Sequence, residues 1–358
     1  MPDRSIDIVH RFNKTTPSLR NLLQGLNGVD EPWRINTHAL RPNIPGNNRV
    51  SNGVEVGLYP AKATLTAARI KKRAPDIVIV HKTLDGGILN RISKRKTVEP
   101  LFANYSKVVY STYDADYVRD RANAQYLFKN ADLVYATSKA IEQEAIKYTN
   151  EEKIKYIPPS VNTEFFTPEV PVSKRYNSER LTVGWIGNAS VHQEELQYIA
   201  NIIQQTEKDI ILRLLLGGSK LQSETRQQLQ DADIEIDIIE YVEWERVPEV
   251  INSFDVGLAP LIDTEFNRGR SSEKIREYMA CGVPVIASDI GENKHLIPDG
   301  AGILVDNEIG RWVSAIEDLS SNQKQHRYGK RAREYTVEQY SIPVIANRIK
   351  SEFDSLFH

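Results

Sequence analysis

The sequence predicts an α/β protein made of two doubly wound domains, and three observations carry that prediction. Short apolar runs alternate with helix-length amphipathic segments along the whole chain. Many of those runs are continuously apolar rather than alternating, which means burial on both faces, as in parallel sheets sandwiched by helices. At 358 residues the chain exceeds one small domain and suits two.

In the first half the strand segments are SIDIVHRF (5–12), DIVIVH (76–81), KVVYSTY (107–113), DLVYATS (132–138) and IKYIP (154–158). In the second they are LTVGWIG (181–187), ILRLLLGG (211–218), IEIDIIEYV (234–242), DVGLAP (255–260), PVIAS (284–288) and GILV (302–305). Helical periodicity marks KATLTAARIKKR (62–73), SKAIEQEAIKY (138–148), ELQYIANIIQQTEK (195–208) and RVPEVINSF (246–254). Residues 158–180 hold four prolines and no lasting period, so the domain boundary falls there. The expected organisation is a first domain over 1–165, a linker over 166–180, a second domain over 181–335, and a closing helix over 336–358 that returns to the first domain. The tail reads as charged helix broken near Pro343.

With 40% apolar and 26% charged residues the composition is that of an ordinary globular protein. No apolar run reaches membrane-span or signal-peptide length. The one cysteine, Cys281, excludes an internal disulfide, and its apolar neighbours mark a packed thiol; a reducing, cytoplasmic setting is expected. The net charge of −2 hides a balance of +8 over residues 1–165 and −10 over 166–358. A basic first half suits an anionic surface or acceptor, and Arg91, Lys94, Arg95 and Lys96 cluster within it. Peripheral attachment to the inner face of a membrane is therefore an expectation, with a solvated helix face as the alternative. A nucleic-acid site would interleave aromatics with its basic residues, and none is expected. The seven histidines show no metal spacing and there is no cysteine cluster, so neither a metal nor a cofactor is expected.

The stretch RGRSSEKIREYMACGVPVIAS (268–288) combines cations with a helix start. Ser271 or Ser272 is the expected N-cap, Ile275 and Met279 form an apolar stripe, and Gly282 with Pro284 ends the helix. Arg270, Lys274 and Glu277 then share one face if the helix begins at the serines. A helix N-terminus already favours anions, so Arg268, Arg270 and Lys274 around it suit a diphosphate. Glu277, further along the helix, suits ribose hydroxyls. A solvated face with an internal Lys274–Glu277 pair is the alternative.

SEKIREYMACGVPVIASDIGENKHLIPDGAGILV (272–305), preceded by FDVGLAPL (254–261), resembles the donor-binding signature of the retaining glycosyltransferases of family 4, which have the GT-B fold. ADLVYATSKAIEQEAIKY (131–148) and EKIKYIPPSVNTEFFTPE (152–169) resemble that family's last first-domain helix and its turn into the linker. The resemblance implies two Rossmann-like domains facing a central cleft, domain closure, a nucleotide-diphosphate sugar as donor, no metal, and transfer with retention of configuration. Glu277 matches the second of the family's two glutamates, which implies a ribose contact; Gly269 stands where the first is usual. A subgroup with cations in this region is similar, and Arg270 and Lys274 match those cations. After the strand LTVGWIG the family's usual Arg and Lys are missing, but Gly187 and Asn188 can bring backbone N–H groups to a phosphate.

The resemblance also implies that VEWERVPEV (242–250) lies beside the nucleotide base, with Val242 and Trp244 the candidates; packing is the alternative for Trp244. Tyr113 and Asp114 stand where the family carries a His-Asp pair facing the donor sugar, so Asp114 is a catalytic candidate, with a capping or solvated acid as the alternative. Asp116 completes a D-x-D whose metal-binding reading the resemblance disfavours. On the acceptor side Lys14, Thr15 and Thr16 follow the first strand, although the family's glycine-rich loop is absent. His81 stands at a sheet edge where open α/β sites form, or is a satisfied structural histidine. The expected activity is sugar transfer to a glycan or lipid-linked acceptor; a nucleotide-sugar epimerase and a non-catalytic nucleotide-sugar-binding relative are the alternatives.

Overall fold

The computed structural model describes residues 4–10, 16–28, 33–40, 49–83, 98–102, 107–171, 180–232 and 234–358. Lys14 and Thr15, and the basic cluster at Arg91, Lys94, Arg95 and Lys96, lie outside them. The chain divides into two compact units. The first comprises Met1–Ser160, Arg268–Ser271 and Ile342–His358; the second comprises Val161–Asn267 and Ser272–Ser341.

The first unit holds six strands: β1 Ser5–His10, β2 Arg34–Ala39, β3 Ile77–His81, β4 Lys107–Thr112, β5 Leu133–Ala136 and β6 Ile154–Tyr156. All pair in parallel, in the order β2-β1-β3-β4-β5-β6. β2 is the strand that its sequence, RINTHA, does not announce. It lies at the sheet edge and is mostly solvated, so it lacks the apolar run that marks the buried strands.

Thr16 caps the helix Pro17–Asn27 by accepting from the Leu19 N–H at 3.3 Å. Leu19, Leu22 and Leu26 on that helix pack with Ile6, Ile8, Ile77 and Ile79 of the sheet and with Ile345, Ile349 and Phe353 of the helix Ile342–Ser355. Gly28 permits this contact, since a Cβ there would stand 2.5 Å from Ile342 Cγ2. The break in the tail falls at Ser341, between the helices Asn322–Tyr340 and Ile342–Ser355.

In the second unit the strands are β7 Leu181–Ile186, β8 Ile210–Leu215, β9 Glu235–Ile239, β10 Val256–Ala259, β11 Val285–Ser288 and β12 Gly302–Val305. They too are parallel, in the order β12-β11-β10-β7-β8-β9. Alternate residues of β11 serve different cores: Ile286 joins Trp185, Leu212 and Leu214, whereas Val285 and Ala287 join Phe254, Tyr278 and Met279. Both faces are therefore buried, as the unbroken apolar runs require. Arg333 ties this unit together by donating to the carbonyls of Thr163, Phe166 and Ala280 at 2.7–2.9 Å. Among the described residues no helix is long and apolar enough to cross a membrane.

Candidate functional site

Strand order reverses between β7 and β10, and in open parallel sheets ligands collect outside the carboxyl ends of the strands at such a point. β7 ends at Ile186, so Gly187 and Asn188 are the first residues beyond it. The helix Glu273–Ala280 is fixed to this edge through Tyr278. Its ring lies against Gly257 of β10, where a Cβ would come within 2.4 Å. Its hydroxyl accepts from the Ile186 N–H at 2.8 Å, and burial pushes the phenol pKa well up, keeping it neutral.

Lys274 lies one turn before Tyr278 and so arrives beside Gly187. Its Nζ sits 4.3 Å from the centroid of the Trp185 ring and 3.4 Å from where a Gly187 Cβ would be. A Cβ at Gly187 would also stand 2.8 Å from the Trp185 ring, so the glycine lets the indole and the ammonium group pack close to the backbone at the end of β7. Glu277 is on the same helix, about 4.5 Å further along the axis at 1.5 Å per residue, and both side chains are half-buried.

Asn188 organises the loop. Its Oδ1 accepts from Ser190 N at 3.0 Å, Ser190 Oγ at 2.6 Å and Ser219 Oγ at 3.1 Å, so its side chain shapes the turn. Two residues that the motif does not contain add to this edge. His192 precedes the helix Gln193–Gln204, and its ring packs edge-on against Trp185 with centroids 5.8 Å apart. Glu195 is buried 3.6 Å from His192 Nδ1. Burial raises its pKa, but His192 and Lys274 outweigh that and hold it below the usual value.

The expected single face of Arg270, Lys274 and Glu277 does not form. The helix starts at Glu273, so Arg270 precedes it, and Arg268–Ser271 cluster with the first unit whereas Lys274 and Glu277 belong to the second. Arg268 ends a separate short helix, Glu265–Arg268. The serine cap also differs from expectation. Ser272 occupies the cap position with φ of 54°, a left-handed conformation unusual for a residue with a Cβ, and its hydroxyl donates to Asn293 Oδ1 at 2.6 Å instead of capping the helix. No side chain at that position closes the helix start. Gly269, where the family's first glutamate was expected, has a steric reason: a Cβ there would stand 2.6 Å from Ala115 Cβ, and its carbonyl accepts from Ser138 Oγ at 3.2 Å.

Beside the loop after β9, Val242 packs against the core. Trp244 stacks on Phe165 at 5.6 Å and meets Phe166 edge-on at 5.6 Å, which is the packing alternative for this residue.

In the first unit Asp114 follows β4. Lys82 donates to its Oδ2 at 2.6 Å from the end of β3, where Lys82 itself has φ of 62°. Burial alone would raise the Asp114 pKa, but Lys82, then Arg270 and Arg119, hold it below its usual value. Asp116 goes the other way: burial, with Asp114 and Asp120 nearby, raises it to about 7 against the pull of Lys82. Among the described residues no three His, Cys, Asp or Glu side chains are arranged to hold a metal ion. His81 is buried, with Nδ1 3.2 Å from Ser111 Oγ and Nε2 3.1 Å from Ser18 Oγ. Burial, then the Lys82 and His10 charges, lowers its pKa to about 3, so it is neutral and both ring nitrogens are engaged. Thr16 is the helix cap described above.

Residues 180–322 match the family described as Glycosyl transferases group 1. No curated protein sequence matches the chain. Several solved structures share its fold over nearly the full length. Sucrose-phosphate synthase from Thermosynechococcus elongatus is 17% identical, with a TM-score of 0.75 and 99% of each chain covered. The lipopolysaccharide outer core galactosyltransferase WaaB is 14% identical, with a TM-score of 0.70, over 98% of this chain and 99% of the other. Anabaena HepE, solved in complex with UDP, is 15% identical, with a TM-score of 0.68, over 98% of this chain and 100% of the other. The chain therefore carries a glycosyl transferases group 1 domain over residues 180–322 and has the two-unit α/β fold of the GT-B glycosyltransferases.

Proposed function

We propose that this protein is a glycosyltransferase that moves a sugar from a nucleotide-diphosphate sugar to a glycan or lipid-linked acceptor, with retention of configuration and without a metal. The observation that carries the proposal is the Lys274 ammonium held over the Trp185 ring beside Gly187, at the reversal between β7 and β10. The group 1 domain over these residues supports it, as does the fold shared with HepE, a protein solved with UDP.

Lys274 faces the charge that develops on the departing phosphate, and its stabilisation is electrostatic. The helix start behind Ser272 adds N–H groups and a favourable dipole to the same anion. Glu277 accepts from ribose hydroxyls, and Val242 lines the base. In the first unit Arg270 and Lys82 keep Asp114 ionised, so that it can accept hydrogen bonds from sugar hydroxyls at that sheet edge. The basic first half attaches the protein to an anionic membrane surface.

The test is a panel of nucleotide sugars with and without glycan or lipid-linked acceptors, reading release of nucleoside diphosphate. Acceptor-dependent release supports transfer, and the anomeric configuration of the product tests retention. Isomerised sugar without release overturns transfer in favour of epimerisation, and binding without turnover in favour of a non-catalytic relative. Binding to anionic vesicles should fall steeply with salt; indifference to such vesicles at low ionic strength removes the membrane attachment.

A further inference from the structure

A buried carboxylate stands in the field of the Lys274 ammonium. Glu195 lies in the first turn of the helix Gln193–Gln204. Its neighbour Glu194 is exposed and complements the helix dipole there without losing its hydration. Glu195 points the other way. Ile199 and Ile202, further along the same face, are fully buried, and Glu195 itself is 4% exposed. A carboxylate at a core-facing position costs free energy unless partners offset it. Those partners come from both sides of the strand-order reversal. From the segment after β7, His192 Nδ1 lies 3.6 Å from Glu195 Oε2. From the segment after β10, the Asn267 amide donates to Glu195 Oε1 at 3.5 Å and to Ile262 O at 2.8 Å. The Trp185 ring joins this group to the ammonium: His192 meets it edge-on at 5.8 Å, and Lys274 Nζ sits 4.3 Å from its centroid.

Burial disfavours the ionised form of Glu195, and His192 and Lys274 together keep it charged. A fixed negative charge in a desolvated place opposes an incoming anion as surely as it attracts the ammonium. A corner built only to gather phosphate has no use for it. We propose that Glu195 is the counter-charge of the Lys274 corner, a buried acid that limits the affinity of this corner for a diphosphate so that the spent nucleotide leaves. The proposal rests on the phosphate reading of Lys274 and adds to it a residue that works against the ligand rather than for it.

The experiment measures Kd for inorganic pyrophosphate and for UDP with the full chain as wild type, E195Q, E195D and K274A, with thermal unfolding of each. E195Q keeps the size of the side chain and removes its charge, whereas E195D keeps the charge. E195Q is expected to bind both probes tighter by roughly threefold or more, and E195D to stay within about twofold of wild type. A residue that merely pins the start of its helix gives the other sign, because its loss loosens the corner. Equal or weaker binding by a folded E195Q therefore overturns the inference, and so does tightening by E195D as large as that by E195Q. In both cases weaker pyrophosphate binding by K274A leaves the reading of Lys274 standing. Should E195Q fail to fold, N267D decides: it adds a carboxylate beside Glu195 Oε1 and should weaken pyrophosphate by roughly threefold or more, and unchanged binding overturns the inference. A wild-type chain that binds neither probe overturns the phosphate reading and the inference together.

Discussion

Replacing Lys274 with Ala tests the phosphate corner directly. The substitution removes one ammonium 4.3 Å from the Trp185 ring and leaves the anchoring Tyr278 hydroxyl bond to Ile186 in place. A hydrogen bond to a charged group contributes about 1.5–3 kcal/mol net. At about 1.4 kcal/mol per tenfold, loss of one such contact weakens a nucleoside diphosphate by roughly 10- to 150-fold. The cation–π contact is worth about 0.5–2 kcal/mol. Removing the cation also takes a favourable charge away from the buried Glu195 carboxylate, so K274A should cost some fold stability as well, which thermal unfolding reads separately from binding. Isothermal titration with a nucleoside diphosphate and with the parent nucleoside separates the two contributions. The diphosphate should suffer the full loss and the nucleoside almost none. Equal losses for both ligands, or no loss for either, refute a phosphate role for Lys274.

Other outcomes follow from packing and titration. The folded pKa of His81, about 3, is depressed from the ordinary 6.5, so the unfolded chain takes up a proton first and stability falls as pH drops from 6.5 toward 3, by about 1.4 kcal/mol per pH unit. Asp116, raised from 3.8 to about 7, contributes stability that is fully present below 3.8 and lost as pH rises through 7, so the two slopes oppose each other between about 4 and 6.5. D116N should uncover the His81 slope, and urea unfolding at several pH values across that window checks it; an acid slope equal to wild type's contradicts both assignments. G269E restores the family's missing glutamate but forces a Cβ to 2.6 Å from Ala115, so it should cost about 1–3 kcal/mol and give no gain in turnover, read by thermal unfolding and activity together. F353A should cost about 3–5 kcal/mol, because Phe353 is fully buried against Trp33 and the helix Pro17–Asn27 core, and denaturant titration measures it.

The amino-acid sequence by itself determined the parallel α/β architecture, because β7, β10 and β11 are buried on both faces and their apolar runs say so without any partner being known. It also marked the helix stop at Gly282, which has φ of 71°, and the break beside Pro343. A chemical signal, cations before an amphipathic helix, pointed to Lys274 and Glu277. Only the tertiary structure decided the rest. RINTHA is a strand because β1 offers it an edge, and its own solvated pattern carries no trace of that pairing. Arg270 left the helix face because Ser272 turns the backbone left-handed to reach Asn293, a residue 21 positions away. Lys274 faces Gly187 because Tyr278 docks on Gly257 and Ile186, contacts no local period records. Trp244 meets Phe165 and Phe166 because the start of the unit is brought beside the loop after β9, a contact its own segment does not record. Periodicity reports whether a side chain is buried, whereas the identity of its neighbour depends on which distant segments the chain brings together.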